Sequence, residues 1–115
     1  MLKEGNTLQT VKKEKAQGGE GYVCMKHLLN EKELNGKCGL FSQVTIPAGC
    51  SLGYHEHHGE SETYYILSGE GMYQDNEKEY LVKAGDVTFT PSGSGHGLKN
   101  CINKDLVFMA LIIKD

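Results

Sequence analysis

The sequence predicts an all-β sandwich or small barrel. Its apolar and alternating runs are short, turn residues interrupt them roughly every ten positions, and the runs draw on Val, Ile, Tyr, Phe and Thr. No stretch alternates strands with long helices, as a parallel sheet with crossover helices requires.

In order, residues 1 to 21 read as a polar, Lys-rich arm with one short strand over Thr7 to Val11, ending in the turn signal Gly18-Gly19-Glu20-Gly21. The domain proper then runs from 22 to 115. Tyr22 to Leu29 is a strand, and Asn30 to Lys37 is a polar connection in which only Asn30 to Asn35 could hold a helical turn. Leu40 to Ile46 is a second strand, closed by Pro47-Ala48-Gly49. Thr63 to Leu67 and Gly71 to Gln74 follow, then the Asp75-Asn76 turn and a strand from Glu79 to Val82. Val87 to Thr90 is short because Pro91 stops it, and Leu106 to Ile113 is the last strand.

The 115 residues suit one domain whose core is modest and would be enlarged by dimerisation. The net charge is -3, and all 12 basic side chains are Lys. An acidic chain without Arg lacks the basic face of a nucleic-acid binder. No window approaches the length of a membrane span, and the polar start is unlike a secretory leader, so a cytoplasmic protein is expected. The four cysteines, Cys24, Cys38, Cys50 and Cys101, form no close-spaced pair, and each reads as a reduced, small buried apolar residue.

Chemistry concentrates in two segments. In the first, His55 and His57 would point to one face of a strand, about 6.7 Å apart at Cα. Such a pair is either two solvated histidines or two imidazoles converging on a metal ion. Gly59 permits a tight turn, after which Glu62, Tyr64 and Ile66 share one face of the next strand. A carboxylate on an inner face needs a cation or donors beside it. His58 and Glu60 fall out of phase or in the turn, and read as solvent-facing or as partners behind the ligands. In the second segment, Pro91, Gly93 and Gly95 force a loop that delivers His96 to the start of another strand.

Together these segments resemble the two motifs of the cupin superfamily. The first, G-x5-H-x-H-x4-E-x6-G, is met by Gly49, His55, His57, Glu62 and Gly69. The second, G-x5-P-x-G-x2-H-x3-N, is met by Gly85, Pro91, Gly93, His96 and Asn100. The resemblance implies a jelly-roll barrel, or double-stranded β-helix. It implies one divalent transition metal inside, held by His55, His57, Glu62 and His96. It also implies a homodimer formed by pairing or exchanging N-terminal strands.

Three His and one carboxylate suit manganese, iron, cobalt or nickel in octahedral geometry, with zinc also compatible. Cupins with this ligand set include dioxygenases, oxalate decarboxylases, sugar-phosphate isomerases and proteins that only bind small molecules. A metal-dependent enzyme of oxygenase or isomerase type is therefore expected here, acting on a small organic molecule, with a non-catalytic binding or sensing protein as the alternative. Without Arg, bidentate capture of oxalate or a sugar phosphate is weaker, leaving Lys26, Lys83 or Lys99 as point charges. Strand phase nominates Tyr64, Ile66, Phe41 and Met72 as the cavity lining, which favours an apolar or enol-type substrate over a dianion. Glu60 and Tyr64 are the candidates for groups acting beside the metal.

Overall fold

The computed structural model describes residues 1–115. Ten strands form two antiparallel sheets. In chain order they are β1 (Thr10–Glu14), β2 (Tyr22–His27), β3 (Cys38–Ile46), β4 (Ser51–Glu56), β5 (Glu60–Ser68), β6 (Glu70–Asp75), β7 (Lys78–Lys83), β8 (Val87–Thr90), β9 (Gly95–Asn100) and β10 (Leu106–Lys114). One sheet runs β1-β2-β3-β10-β5-β8 and the other β4-β9-β6-β7. This is the all-β architecture that the turn spacing predicts and the jelly-roll arrangement that the cupin resemblance implies.

Alternation decides what lies between the sheets. Ser42, Val44 and Ile46 of β3 point inward, as do Glu62, Tyr64 and Ile66 of β5 and Leu106, Phe108 and Ala110 of β10. Opposite them stand Tyr73 of β6 and His96, Leu98 and Asn100 of β9. Each large apolar side chain so buried stabilises the fold by about 1.5–3 kcal/mol. The core thus accepts a row of polar groups, Glu62, His96 and Asn100, that only specific partners can keep there.

The arm differs from its expected form. Thr7 sits in a 3-10 turn (Gly5–Thr7), and the strand begins three residues later, at Thr10. It pairs antiparallel with β2, Val11 opposite Met25. The helical turn is α1 (Glu31–Leu34), started by Asn30, whose side chain accepts from Glu33 N at 2.9 Å while its own N–H donates to Glu33 Oε1 at 2.9 Å. Lys3 pairs with the same Glu33 and ties the arm to this turn.

Of the cysteines only Cys50 is buried; Cys24 and Cys38 are half-buried and Cys101 is exposed. Cys101 corrects the expectation of burial, because it lies just past β9 in a surface turn. No helix is long and apolar enough to cross a membrane.

Candidate metal centre

Three strands and one loop deliver the four donors. β4 carries His55 and pairs with β9 so that His55 stands opposite His96. His57 lies one residue beyond the end of β4 rather than on it. It is still fixed, because its N–H donates to Ser94 O at 3.0 Å and its carbonyl accepts from Gly93 N at 2.7 Å. The loop of the second motif therefore holds the end of the first. Glu62 arrives from β5 in the opposite sheet.

The donor atoms converge: one from each of His55, His57, Glu62 and His96, all within 4.8 Å of one another. His96 Nε2 is the hub, 3.1 Å from His55 Nε2, 3.0 Å from His57 Nε2 and 2.9 Å from Glu62 Oε1. Glu62 Oε1 lies 2.9 Å from His57 Nε2 and 3.9 Å from His55 Nε2. With metal–nitrogen bonds of about 2.1 Å, adjacent donors on an octahedron sit roughly 3.0 Å apart and opposite ones roughly 4.2 Å, whereas a tetrahedron gives roughly 3.4 Å throughout. Four of these separations lie near 3.0 Å and one at 3.9 Å, close enough for the four atoms to share one ion.

The second nitrogen of His55 and of His57 meets an acceptor, which fixes a proton there, and that of His96 meets two hydroxyls. His55 Nδ1–H donates to Gly53 O at 2.8 Å, and His57 Nδ1–H donates to the Glu60 carboxylate at 2.6 Å. His96 Nδ1 meets Tyr73 OH at 3.0 Å and Thr90 Oγ1 at 2.9 Å, and those two hydroxyls bond each other at 2.8 Å. A protonated ring donates from Nε2 to Glu62, whereas a neutral ring with its hydrogen on Nδ1 turns a bare Nε2 lone pair inward, the form a metal requires.

The charges agree. Burial would raise the Glu62 carboxyl, but hydrogen bonds from His55 and His96 and the charge of the neighbouring imidazoles outweigh it and hold the group at about 2. Burial, assisted by His55 and His57, lowers His96 despite the opposing pull of Glu62. An ionised carboxylate and a readily neutral imidazole are the forms that bind a metal. Three lone pairs and one anion aimed at a common point repel each other unless a cation sits there. The residues present therefore fit a divalent transition ion.

One side of the cluster opens onto a cavity of about 240 Å³ bordered by His55, His57, Glu62 and Tyr64. Tyr64 stacks on His96 with ring centres 4.8 Å apart, and its hydroxyl lies 3.4 Å from His96 Nε2. Burial, helped by the Glu62 charge, pushes its phenol well above the usual range, so it stays a neutral O–H. Glu60 stands behind His57 as its acceptor, and His58 points to solvent 3.3 Å from Glu56.

The expected lining needs correction. Phe41 and Met72 are out of phase with their strands' buried residues, Ser42 and Val44 on β3 and Tyr73 on β6, and neither borders this cavity. Ile66 is buried in the core away from it. Leu40, Val44 and Phe108 form the apolar wall instead. None of Lys26, Lys83 and Lys99 reaches the cavity, whereas Lys13 and Gln17 of the arm do. Sequence reasoning also missed Tyr73 and Thr90, the partners of His96. Thr90 shares an inward phase with Thr88, but no local pattern says which histidine its hydroxyl will meet.

Comparison with known proteins agrees with this geometry. The family described as "Cupin domain" matches residues 42–112. A Thermotoga maritima protein named "Oxalate-binding protein" is 50% identical over 97 residues, 84% of this chain and 80% of that one. A Thermotoga maritima crystal structure, described as that of "a predicted oxalate decarboxylase", superposes with a TM-score of 0.95 at 43% identity over 100% of both chains. An uncharacterised Methanocaldococcus jannaschii protein is 34% identical over 83 residues, 71% of this chain and 66% of its own.

Proposed function

This chain belongs to the cupin family, and from that premise we propose that it is a metal-dependent binder of a small organic acid that chelates through two oxygens. One observation carries the reading: the donor cluster opens onto a partly open, mostly apolar cavity with no uncommitted proton carrier beside the metal position. Glu60 is engaged by His57, Glu62 belongs to the donor set, and Tyr64 is held as a neutral donor. Such a wall can seat and orient an anion but offers no base to move its protons.

Each group then has a task. His55, His57, Glu62 and His96 would hold the ion, which supplies Lewis acidity and coordination positions for ligand oxygens. Tyr64 O–H points toward the same space and would donate to a ligand oxygen. Leu40, Val44 and Phe108 exclude water around the ligand, which strengthens the polar contacts within. The name of the Thermotoga maritima relative points to oxalate as the first acid to test.

The enzymatic reading expected from the sequence stands second. It is favoured by the donor set itself, since three imidazoles and one carboxylate leave an octahedral ion open to a second reactant. Calorimetric titration of manganese-loaded protein with oxalate, with oxygen consumption and carbon dioxide release followed in parallel, separates the two. Saturable binding that disappears in chelator-stripped protein, without turnover, is expected. Catalytic turnover would establish the enzyme, and equal binding with and without metal would defeat both readings.

A homodimer is part of the proposal. On the outer surface of β5 and β8, Tyr65, Leu67, Val87 and Phe89 are each at least 41% exposed. They are contiguous, since Tyr65 pairs across the ladder with Val87 and Thr63 with Phe89. A patch of this kind on a small domain marks an interface, and a second copy covering it would enlarge the modest core. Sedimentation should show a dimer that Phe89→Asp dissociates. A wild-type monomer at high protein concentration would exclude it.

A further inference from the structure

Apart from His55, His57, Glu62 and Tyr64, only two polar side chains border the cavity: Lys13 and Gln17. Both come from the N-terminal arm, outside the 42–112 segment that matches the family. Lys13 lies on β1 opposite Val23 of β2. Gln17 sits in the short 3-10 turn Ala16–Gly18, with left-handed backbone angles (φ 52°, ψ 32°).

This turn is seated on β4, the strand that carries His55. Gly19 and Gly53 approach so closely that a Cβ on Gly19 would lie 2.8 Å from Gly53 N and overlap the Ser51 carbonyl, and one on Gly53 would overlap the Gln17 carbonyl. Glu20 N donates to Ser51 Oγ at 2.8 Å and Ser51 N donates to Glu20 O at 2.9 Å. Ala16 is buried beneath the turn. The arm is thus built against the site. Lys3 and Lys12 pair with Glu33 and Glu14, whereas Lys13 has no carboxylate partner.

Charge and size narrow the ligand. A divalent ion held by neutral imidazoles and one carboxylate keeps one positive charge, and Lys13, which borders the same cavity, adds a second. A dianion with separated anionic groups matches both. The volume of about 240 Å³ has room for roughly eight waters, more than oxalate fills. The rest of the lining, including Leu40, Val44 and Phe108, is apolar.

We propose that Lys13 and Gln17 are specificity-determining residues that select a dianionic 2-oxo or 2-hydroxy acid. Its chelating end faces the donor cluster, and its second carboxylate reaches Lys13 and Gln17 across a short apolar body. The inference rests on the chelate binding proposed above and adds the far end of the ligand. Lys13 supplies a point charge and the Gln17 amide a directed N–H.

The test is calorimetric titration of nickel-loaded full-length protein with oxalate, 2-oxohexanoate and 2-oxohexanedioate. The two six-carbon acids share a chelating end and differ in the distal carboxylate. Wild type should bind the diacid about fivefold or more tightly than the monoacid, the effect of one ion pair at a partly open rim. Lys13→Met should erase that preference, Lys13→Arg should restore it, and oxalate affinity should change by less than about twofold in either variant. Gly19→Ala, which pushes the turn off β4 without touching a donor, should weaken the preference in the same direction. Oxalate binding combined with equal affinities for the two acids, with no binding of either, or with a preference that survives Lys13→Met, overturns the inference and leaves metal-dependent chelation standing. Failure of all three acids to bind overturns the chelation reading and this inference with it.

Discussion

His96→Ala should abolish metal binding. His96 Nε2 is within 3.1 Å of all three other donor atoms, so its loss removes the hub of the cluster and not one edge of it. Losing an outer partner of a metal ligand typically costs about 10–100-fold in affinity; loss of this direct donor should exceed that range. The buried hydroxyls behind it are not stranded, because Tyr73 OH and Thr90 Oγ1 already bond each other at 2.8 Å. The variant is therefore expected to fold and to fail in a specific way. Elemental analysis of protein purified without chelators should give near-stoichiometric metal for wild type and background for the variant. Thermal melting supplies an independent readout: chelator should lower the wild-type midpoint, since an ion bound only to the native state stabilises it, and leave the variant unmoved. Undiminished metal in His96→Ala would mean that the four side chains converge for another reason.

The second large effect concerns the wall that supports the site. Phe108 is fully buried at the centre of β10, opposite Val44 of β3 on one side and Ile66 of β5 on the other. Its ring centre lies 4.5 Å from that of Tyr64, which in turn stacks on His96. Phe108→Ala should cost about 3–5 kcal/mol, the sum of lost burial and of a cavity the two ladders cannot collapse to fill. For a domain of this size total stability is about 5–15 kcal/mol, so the loss is a large part of the whole. Urea denaturation of chelator-treated protein measures it directly, as a fall in midpoint at unchanged slope. A loss below about 1 kcal/mol would show that Phe108 is not a core side chain. The expected weakening of metal binding in the same variant, through a loosened Tyr64, would tie the wall to the site.

The two motif segments were legible because their residue types answer local demands. Gly49, Gly69, Gly85 and Gly93 all adopt positive φ, a conformation that side chains disfavour, so the chain announces its turns in glycine. The alternation of His55, Glu62 and Tyr64 announces an inner face, and Asn100 marks a loop that it pins by donating to Ile46 O at 2.8 Å and Lys104 O at 2.7 Å. Strand positions followed from composition for the same reason, with ends displaced by a residue or three where pairing extends a strand beyond its apolar run, as at Glu60–Ser68.

Phase alone was not enough for Phe41 and Met72. Either face of a strand can carry an apolar residue when the outer face is itself apolar, as it is around Tyr65 and Phe89, so side-chain type does not say which face is inner. The partners of the histidines were equally hidden, because Tyr73 and Thr90 meet His96 across 23 and 6 residues of chain. Lys13 and Gln17 carried no signal at all.

The sequence by itself therefore determined the all-β class and, through its motif resemblance, which four side chains converge, because turn residues and motif residues stand at fixed spacing. Only the tertiary structure decided the separations between those donors, the groups behind them, and the arm that closes the cavity. Those depend on which strands lie side by side and how close two backbones come, as at Gly19 and Gly53, and long-range pairing leaves no local trace in the chain.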